Sequence, residues 1–229
     1  MGTPRYTPCN ERKIDSMKIT LLGSTGSLGQ ECLQQCLDAG HDVTVLVRSP
    51  NKLPDNAKDL ITIIEGDGLS FDDVITAMPQ CTDAILFAIG VDEKTSPQDL
   101  CTDVTRHILE AMRKNNIPRL VWCGGGSNIL EDDVITFGAR FVRWYSENFL
   151  KHRHTDKEHQ LALLDQNRDL CWLGIRPLQM KHGTKREEYR LGFNAFSGMS
   201  KITFADCAHA MIQMLSDDTW VGKAPIIQY

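Results

Sequence analysis

Apolar runs of strand length alternate with helix-period segments along most of this chain. Lys18-Ile19-Thr20-Leu21-Leu22 reads as a first buried strand, and Leu28, Cys32, Cys36 and Leu37 follow at helical spacing until Gly40 stops them. Asp42-Val43-Thr44-Val45-Leu46-Val47 is nearly continuously apolar, as a strand covered on both faces should be. The alternation continues with strands over 61–64, 84–88, 120–123, 171–175 and 224–228, and with helices over 71–78, 98–115, 156–166 and 204–215. This order predicts right-handed crossovers and an α/β, Rossmann-type doubly wound fold. Its sheet should be mainly parallel, with about seven strands and helices on both faces. Residues 124–150 and 177–200 read as long irregular stretches after the fifth and sixth strands. They should carry specificity, because ligands of such sheets bind at the carboxyl edge.

Composition narrows the class. A chain of 229 residues suits one sizeable core better than two domains, and 41% hydrophobic with 24% charged residues excludes a disordered chain. The formal charge of −5 argues against a nucleic-acid partner, and no apolar run approaches the roughly 20 residues of a membrane span. Residues 1–16, with Pro4 and Pro8 and no periodicity, read as a disordered extension. Met17 is then the expected natural start, and 17–229 the expected single domain. The eight cysteines form no C-x-x-C pair and several fall inside apolar runs. They read as free thiols of a reducing, cytoplasmic setting rather than as a disulfide or metal framework. A monomer and a homodimer both fit this composition.

The chemistry starts at Gly23-Ser24-Thr25-Gly26-Ser27-Leu28-Gly29, between the first strand and the first helix. Glycines there let the backbone approach a diphosphate whose charge sits at the helix N-terminus, which points to a dinucleotide. Folds that take NAD usually place an acidic residue at the end of the second strand, for the ribose 2′-hydroxyl. Here Arg48-Ser49 stands there, with Lys52 a turn later, which favours a 2′-phosphate and so NADP(H) over NAD(H). Asp67 and Gly68 follow the third strand, where the adenine edge should lie. Ala88, Ile89 and Gly90 end the fourth strand, and Gly90 keeps its backbone clear of the cofactor.

These segments resemble the atypical short-chain dehydrogenase/reductase group with an NAD(P)H-binding domain. The likeness rests on Leu22–Gly29, Gly40–Arg48 and Gly66-Asp67. Arg119-Leu120-Val121-Trp122-Cys123-Gly124-Gly125-Gly126-Ser127 is similar to the strand end of bacterial NADH-flavin reductase-like proteins. Glu188–Gly192 and Ser200–Asp206 resemble their C-terminal segment. Biliverdin-IXβ reductases, which also reduce flavins, share the layout, including a last strand ending in Gln228-Tyr229. The resemblance implies that Arg48 and Lys52 hold the 2′-phosphate and that Gly124, Gly125 and Ser127 flank the nicotinamide. The Tyr-x-x-x-Lys pair of larger members is missing, because Phe149 stands four residues after Tyr145. Lys157, on the following helix, is the remaining lysine expected to reach the ribose.

Without that pair, alcohol–ketone interconversion lacks a tuned proton source, whereas reduction of a conjugated small-molecule acceptor such as flavin or a bilin needs chiefly proximity. A non-catalytic NADP(H)-binding sensor, or an epimerase or carbonyl reductase with a rearranged relay, also fits the missing pair. Ser127 either positions the carboxamide or acceptor, or is a plain turn serine. Pro177 is expected to shape the backbone beside the nicotinamide. His152, His154 and His159 lack metal-ligand spacing and read as a solvated helix start. Phe137, Phe141, Trp144, Tyr145 and Phe149 form a stripe of near-helical spacing, read first as core or lid packing and otherwise as a wall for a stacked acceptor.

Overall fold

In β1 (Lys18–Leu22), Ile19 and Leu21 join one hydrophobic cluster while Leu22 joins another, because successive strand side chains point to opposite faces. The whole sheet repeats this division, which is why its strands read as continuous apolar runs. The computed structural model describes residues 16–134, 136–194 and 201–229. The expected N-terminal extension therefore lies, except for Ser16, outside the described residues.

The chain continues through α1 (Ser27–Asp38), β2 (Asp42–Val47), α2 (Asp55–Lys58), β3 (Thr62–Glu65), α3 (Phe71–Ala77), β4 (Ala84–Phe87) and α4 (Leu100–Asn115). Then come β5 (Leu120–Cys123), α5 (Phe137–Phe149), α6 (Lys151–Asp165), β6 (Trp172–Pro177), β7 (Gln179–Lys181) and β8 (Arg190–Gly192). The last elements are β9 (Lys201–Thr203), α7 (Phe204–Gln213) and β10 (Ile226–Gln228). The central sheet has eight strands in the order β3-β2-β1-β4-β5-β6-β10-β8. All its neighbours pair in parallel except β8, which runs antiparallel to β10 at the edge. The eighth strand is the addition to the expected seven. Three residues, with no alternation long enough to see, could not announce it.

One cluster packs α1 and α7 on the sheet through Cys32, Leu33, Cys207 and Met211, and the other packs α3, α4 and α6 through Val74, Ile108, Leu109 and Leu164. Burial pushes the Cys36 thiol up to about 12, and that of Cys123 to about 11 despite the nearby Lys157 ammonium, so both are inert apolar side chains. No described helix is long and apolar enough to cross a membrane.

Two stretches depart from the sequence reading. The 124–150 stretch is irregular only up to about residue 136; α5 then follows and leads almost directly into α6. The 177–200 stretch contains β7 and β8, and β7 pairs in parallel with β9 as a separate two-stranded ribbon. The aromatic stripe does follow the helical period of α5, but it is not core. Phe137 is 88% exposed, and Phe141, Trp144, Tyr145 and Phe149 are also exposed.

Candidate functional site

The strand order reverses between β1 and its two neighbours, β2 and β4, so the crevice for a ligand opens at their carboxyl ends. The turn after β1 is held by the Gly26 amide donating to Gly23 O at 3.0 Å. Gly23 has φ +86°, and a Cβ there would lie 2.7 Å from the backbone of Ala88 and Ile89. A Cβ on Gly29 would lie 2.0 Å from Gly23 O, so two glycines are sterically required to fold the turn onto α1. The amides of Ser27, Leu28 and Gly29 stand in the first turn of α1, where no helical carbonyl can bond them. A Cβ on Gly26 would meet only Gly23 O, at 3.5 Å, and open space lies beyond. This cradle of free amides and open space fits a diphosphate.

Two cavities meet here, sharing Gly26, Ala88, Ile89 and Gly90. The narrower, of about 210 Å³, runs past Gly23 and Thr25 to Arg48, Asp67 and Gly68. Arg48, directly after β2, lines it. Lys52, exposed at the end of the turn Pro50–Lys52, does not line the cavity. Asp67 accepts the Leu69 amide at 3.0 Å, and its own amide donates to Asp73 Oδ2 at 2.9 Å, which fixes the loop beneath the expected adenine. Ser24 is wholly buried beneath the turn and does not line either cavity, so its contribution can only be its backbone. Its Oγ has no partner among the described residues.

The wider cavity, of about 910 Å³, is bordered by Ser27 and Leu28, by Gly124, Gly125 and Ser127, by Pro177, and by Phe141 and Tyr145 of α5. Arg176 fixes the loop that forms its floor. It is fully buried, donates to both carboxylate oxygens of Asp133 at 2.7 and 2.8 Å, and also donates to the carbonyls of Asn128 and Ala224. Pro177 O accepts the Gly126 amide at 3.0 Å, which ties the glycine run to the end of β6.

Ser127 Oγ lies 3.1 Å from Nδ1 of His154. His154 is 5% exposed rather than part of a solvated helix start, since the first turn of α6 turns it inward under the cavity wall. Asn128 Nδ2 also approaches Nδ1, at 3.4 Å, and donates to His154 O at 3.1 Å. A donor beside Nδ1 assigns the ring proton to Nε2, which faces Glu158 Oε1 at 3.3 Å and Glu147 Oε1 at 3.9 Å. The other two histidines diverge, His152 to Pro97 O and His159 to Asp99. The signal for His154 was available only in part, because its pairing with Ser127 crosses from the end of β5 to α6.

Lys157 lines the same cavity, but its ammonium is spent on protein acceptors. It donates to Cys123 O at 3.1 Å, Gln160 Oε1 at 3.0 Å and Ile89 O at 3.4 Å, and stands 5.3 Å from the Phe87 ring centre. An ammonium has three protons, so a ribose contact requires one of these bonds to be given up. Lys157 therefore braces the ends of β4 and β5 rather than projecting a free ammonium. Asp156, which the sequence gave no reason to single out, is buried and accepts the Cys101 and Thr102 amides at 2.8 and 2.9 Å, anchoring α6 to the start of α4.

Comparison with known proteins agrees with this geometry. A family model described as NAD(P)H-binding matches residues 23–218. The uncharacterised protein YwnB of Bacillus subtilis is 25% identical over 208 residues, covering 87% of this chain and 92% of the relative. Among solved structures, a candidate epimerase from Bacteroides thetaiotaomicron superimposes with a TM-score of 0.77 at 25% identity, over 93% of this chain and 97% of that one. A candidate NADH-flavin reductase from Streptococcus pneumoniae shares the fold with a TM-score of 0.70 at 22% identity, over 93% and 99%.

Proposed function

Because this chain belongs to the NAD(P)H-binding family, we infer that it is an NADPH-dependent reductase that passes hydride to a conjugated acceptor such as flavin or a bilin. The observation that carries the reading is the Ser127–His154 hydrogen bond in the wall of a cavity that continues directly from the diphosphate turn. Arg48 in the narrower cavity supports a 2′-phosphate there, since a guanidinium can bind phosphate bidentately.

The bound nicotinamide supplies the hydride. Gly124, Gly125 and Pro177 shape the backbone against which its ring would lie, and Phe141 and Tyr145 offer rings on the far wall for a planar acceptor. As Ser127 Oγ hands its hydroxyl proton to the reduced acceptor, it takes a replacement from Nδ1 of a His154 ring protonated on both nitrogens, which returns the ring to its resting form with the proton on Nε2. The ring regains its Nδ1 proton from solvent, while the Glu158 and Glu147 carboxylates face the proton held on Nε2. Asn128 and the Arg176–Asp133 pair hold this relay in place.

The same relay is what a carbonyl acceptor would need in place of the missing Tyr/Lys pair, so ketone reduction is the second reading. Loss of reduced-nicotinamide absorbance tests both when NADPH is mixed with the protein and, in turn, flavin mononucleotide, biliverdin or an aromatic ketone. Oxidation with a conjugated acceptor is expected. Oxidation with the ketone alone would favour the second reading, and tight NADPH binding with no turnover would leave a sensor.

A further inference from the structure

The charge of the wide cavity runs opposite to the charge of the protein. The chain carries 30 acidic against 25 basic residues. The cavity wall nonetheless has Arg153, Lys157, Lys181 and Lys201, and no Asp or Glu among the described residues. Two of these cations are engaged: the Lys157 ammonium in the bonds above, and Arg153 Nε in a bond to Val91 O at 3.1 Å. Lys181 and Lys201 are exposed, and neither has an ion-pair partner among the described residues.

Their placement follows from the ribbon of β7 and β9. Gln179 stands opposite Lys201, and Lys181 lies two residues beyond Gln179 on the same strand face. Both lysines therefore project from one face, and both line the cavity. Like charges on neighbouring strand positions repel, and among the described residues of the wall no carboxylate offsets them. An anion between them would remove that repulsion, and the uncompensated field would draw one in.

The wall is aromatic at Phe141 and Tyr145 and apolar at Val142, Leu150 and Leu178. We propose that the cavity takes an acceptor with two parts: a planar aromatic body beside Ser127, and a phosphate or carboxylate substituent held by Lys181 and Lys201. The proposal rests on the reductase reading and adds the anionic substituent to it.

Flavin mononucleotide and riboflavin test it, because they share the ring system and differ in the phosphate. Biliverdin and its dimethyl ester make the same comparison for a carboxylate. In the wild-type protein, kcat/KM for an anionic acceptor should exceed that for its neutral counterpart by about tenfold or more, as charge-assisted hydrogen bonds require. That ratio should shrink with added salt and fall towards one in K181A/K201A. Which pair shows the larger ratio tells phosphate from carboxylate. Equal kcat/KM within both wild-type pairs, or a preference that survives in K181A/K201A, overturns the subsite while leaving the reductase reading intact. If no acceptor is turned over, the reductase reading fails, and quenching of flavin fluorescence on binding decides the subsite by itself. Tighter binding of flavin mononucleotide that is lost in the double variant supports it, and equal binding overturns it.

Discussion

Ser127 Oγ and His154 Nδ1 lie 3.1 Å apart although 27 residues separate them in sequence. The end of β5 and the first turn of α6 converge on one cavity wall, and a serine that could have been a turn residue acquires a proton partner. Replacing either residue should strike proton delivery. S127A and H154A are each expected to lower kcat with a conjugated acceptor by about 10²-fold, with the loss falling on turnover and not on NADPH affinity. Steady-state rates beside a fluorescence titration of NADPH separate the two effects. An unchanged kcat in both variants would remove the relay.

The floor of the cavity depends on a buried charge pair. Removing one partner from such a pair leaves the other charge uncompensated, at a cost of about 3–5 kcal/mol. D133A should therefore destabilise the protein by about that amount in chemical denaturation, because Arg176 is fully buried. D133L/R176M, which buries no charge, should cost clearly less than D133A. Equal losses would mean that packing, and not the uncompensated guanidinium, sets the cost.

Much of this arrangement was legible in the sequence because it rests on local signals. The turn from Gly23 to Gly29 and the apolar strands fix the doubly wound sheet, and Arg48 directly after β2 lines the narrower cavity. What failed to show was whatever depends on partners distant in sequence. Asp133 has no periodic context, and only the fold brings it to Arg176. His154 sits among histidines of irregular spacing, and only its burial and its partner Ser127, both set by the fold, distinguish it from His152 and His159. The aromatics of α5 show the converse. Their spacing revealed the helix but not its environment, since apolar periodicity carries no record of whether a neighbour covers the face.

The turn itself gives a steric prediction. A Cβ at Gly29 would overlap Gly23 O, and the nearest atoms are all backbone, with no flexible side chain to yield. G29A should lose about 1–3 kcal/mol of stability and also weaken dinucleotide binding, because any relief must move the amides of the cradle. Thermal unfolding with and without NADPH measures both. Full stability with unchanged binding would contradict the geometry.

The carboxyl-terminal elements are tied together by a buried carboxylate. Burial raises the pKa of Asp206, but hydrogen bonds from Tyr229 OH, the Glu187 and Arg186 amides and the Thr203 hydroxyl outweigh it and hold the group below the usual carboxylate range. A depressed folded-state value stabilises the fold fully above the ordinary aspartate value of about 4. That contribution is lost as the pH falls through the folded value. Denaturation midpoints measured downward from neutral pH should therefore fall more steeply for the wild type than for D206N, which starts lower. Parallel curves would mean that this carboxylate contributes nothing to acid sensitivity.

The proposed use of NADPH rests on Arg48, directly after β2 in the narrower cavity. Its most direct measurement is the ratio of kcat/KM for NADPH to that for NADH, with one flavin acceptor, in the wild type and in R48A. A guanidinium–phosphate contact of about 1.5–3 kcal/mol predicts a wild-type ratio of roughly ten to a hundred or more, falling close to one in R48A. A ratio near one in the wild type, or a preference for NADPH that R48A leaves untouched, would contradict a 2′-phosphate held by Arg48.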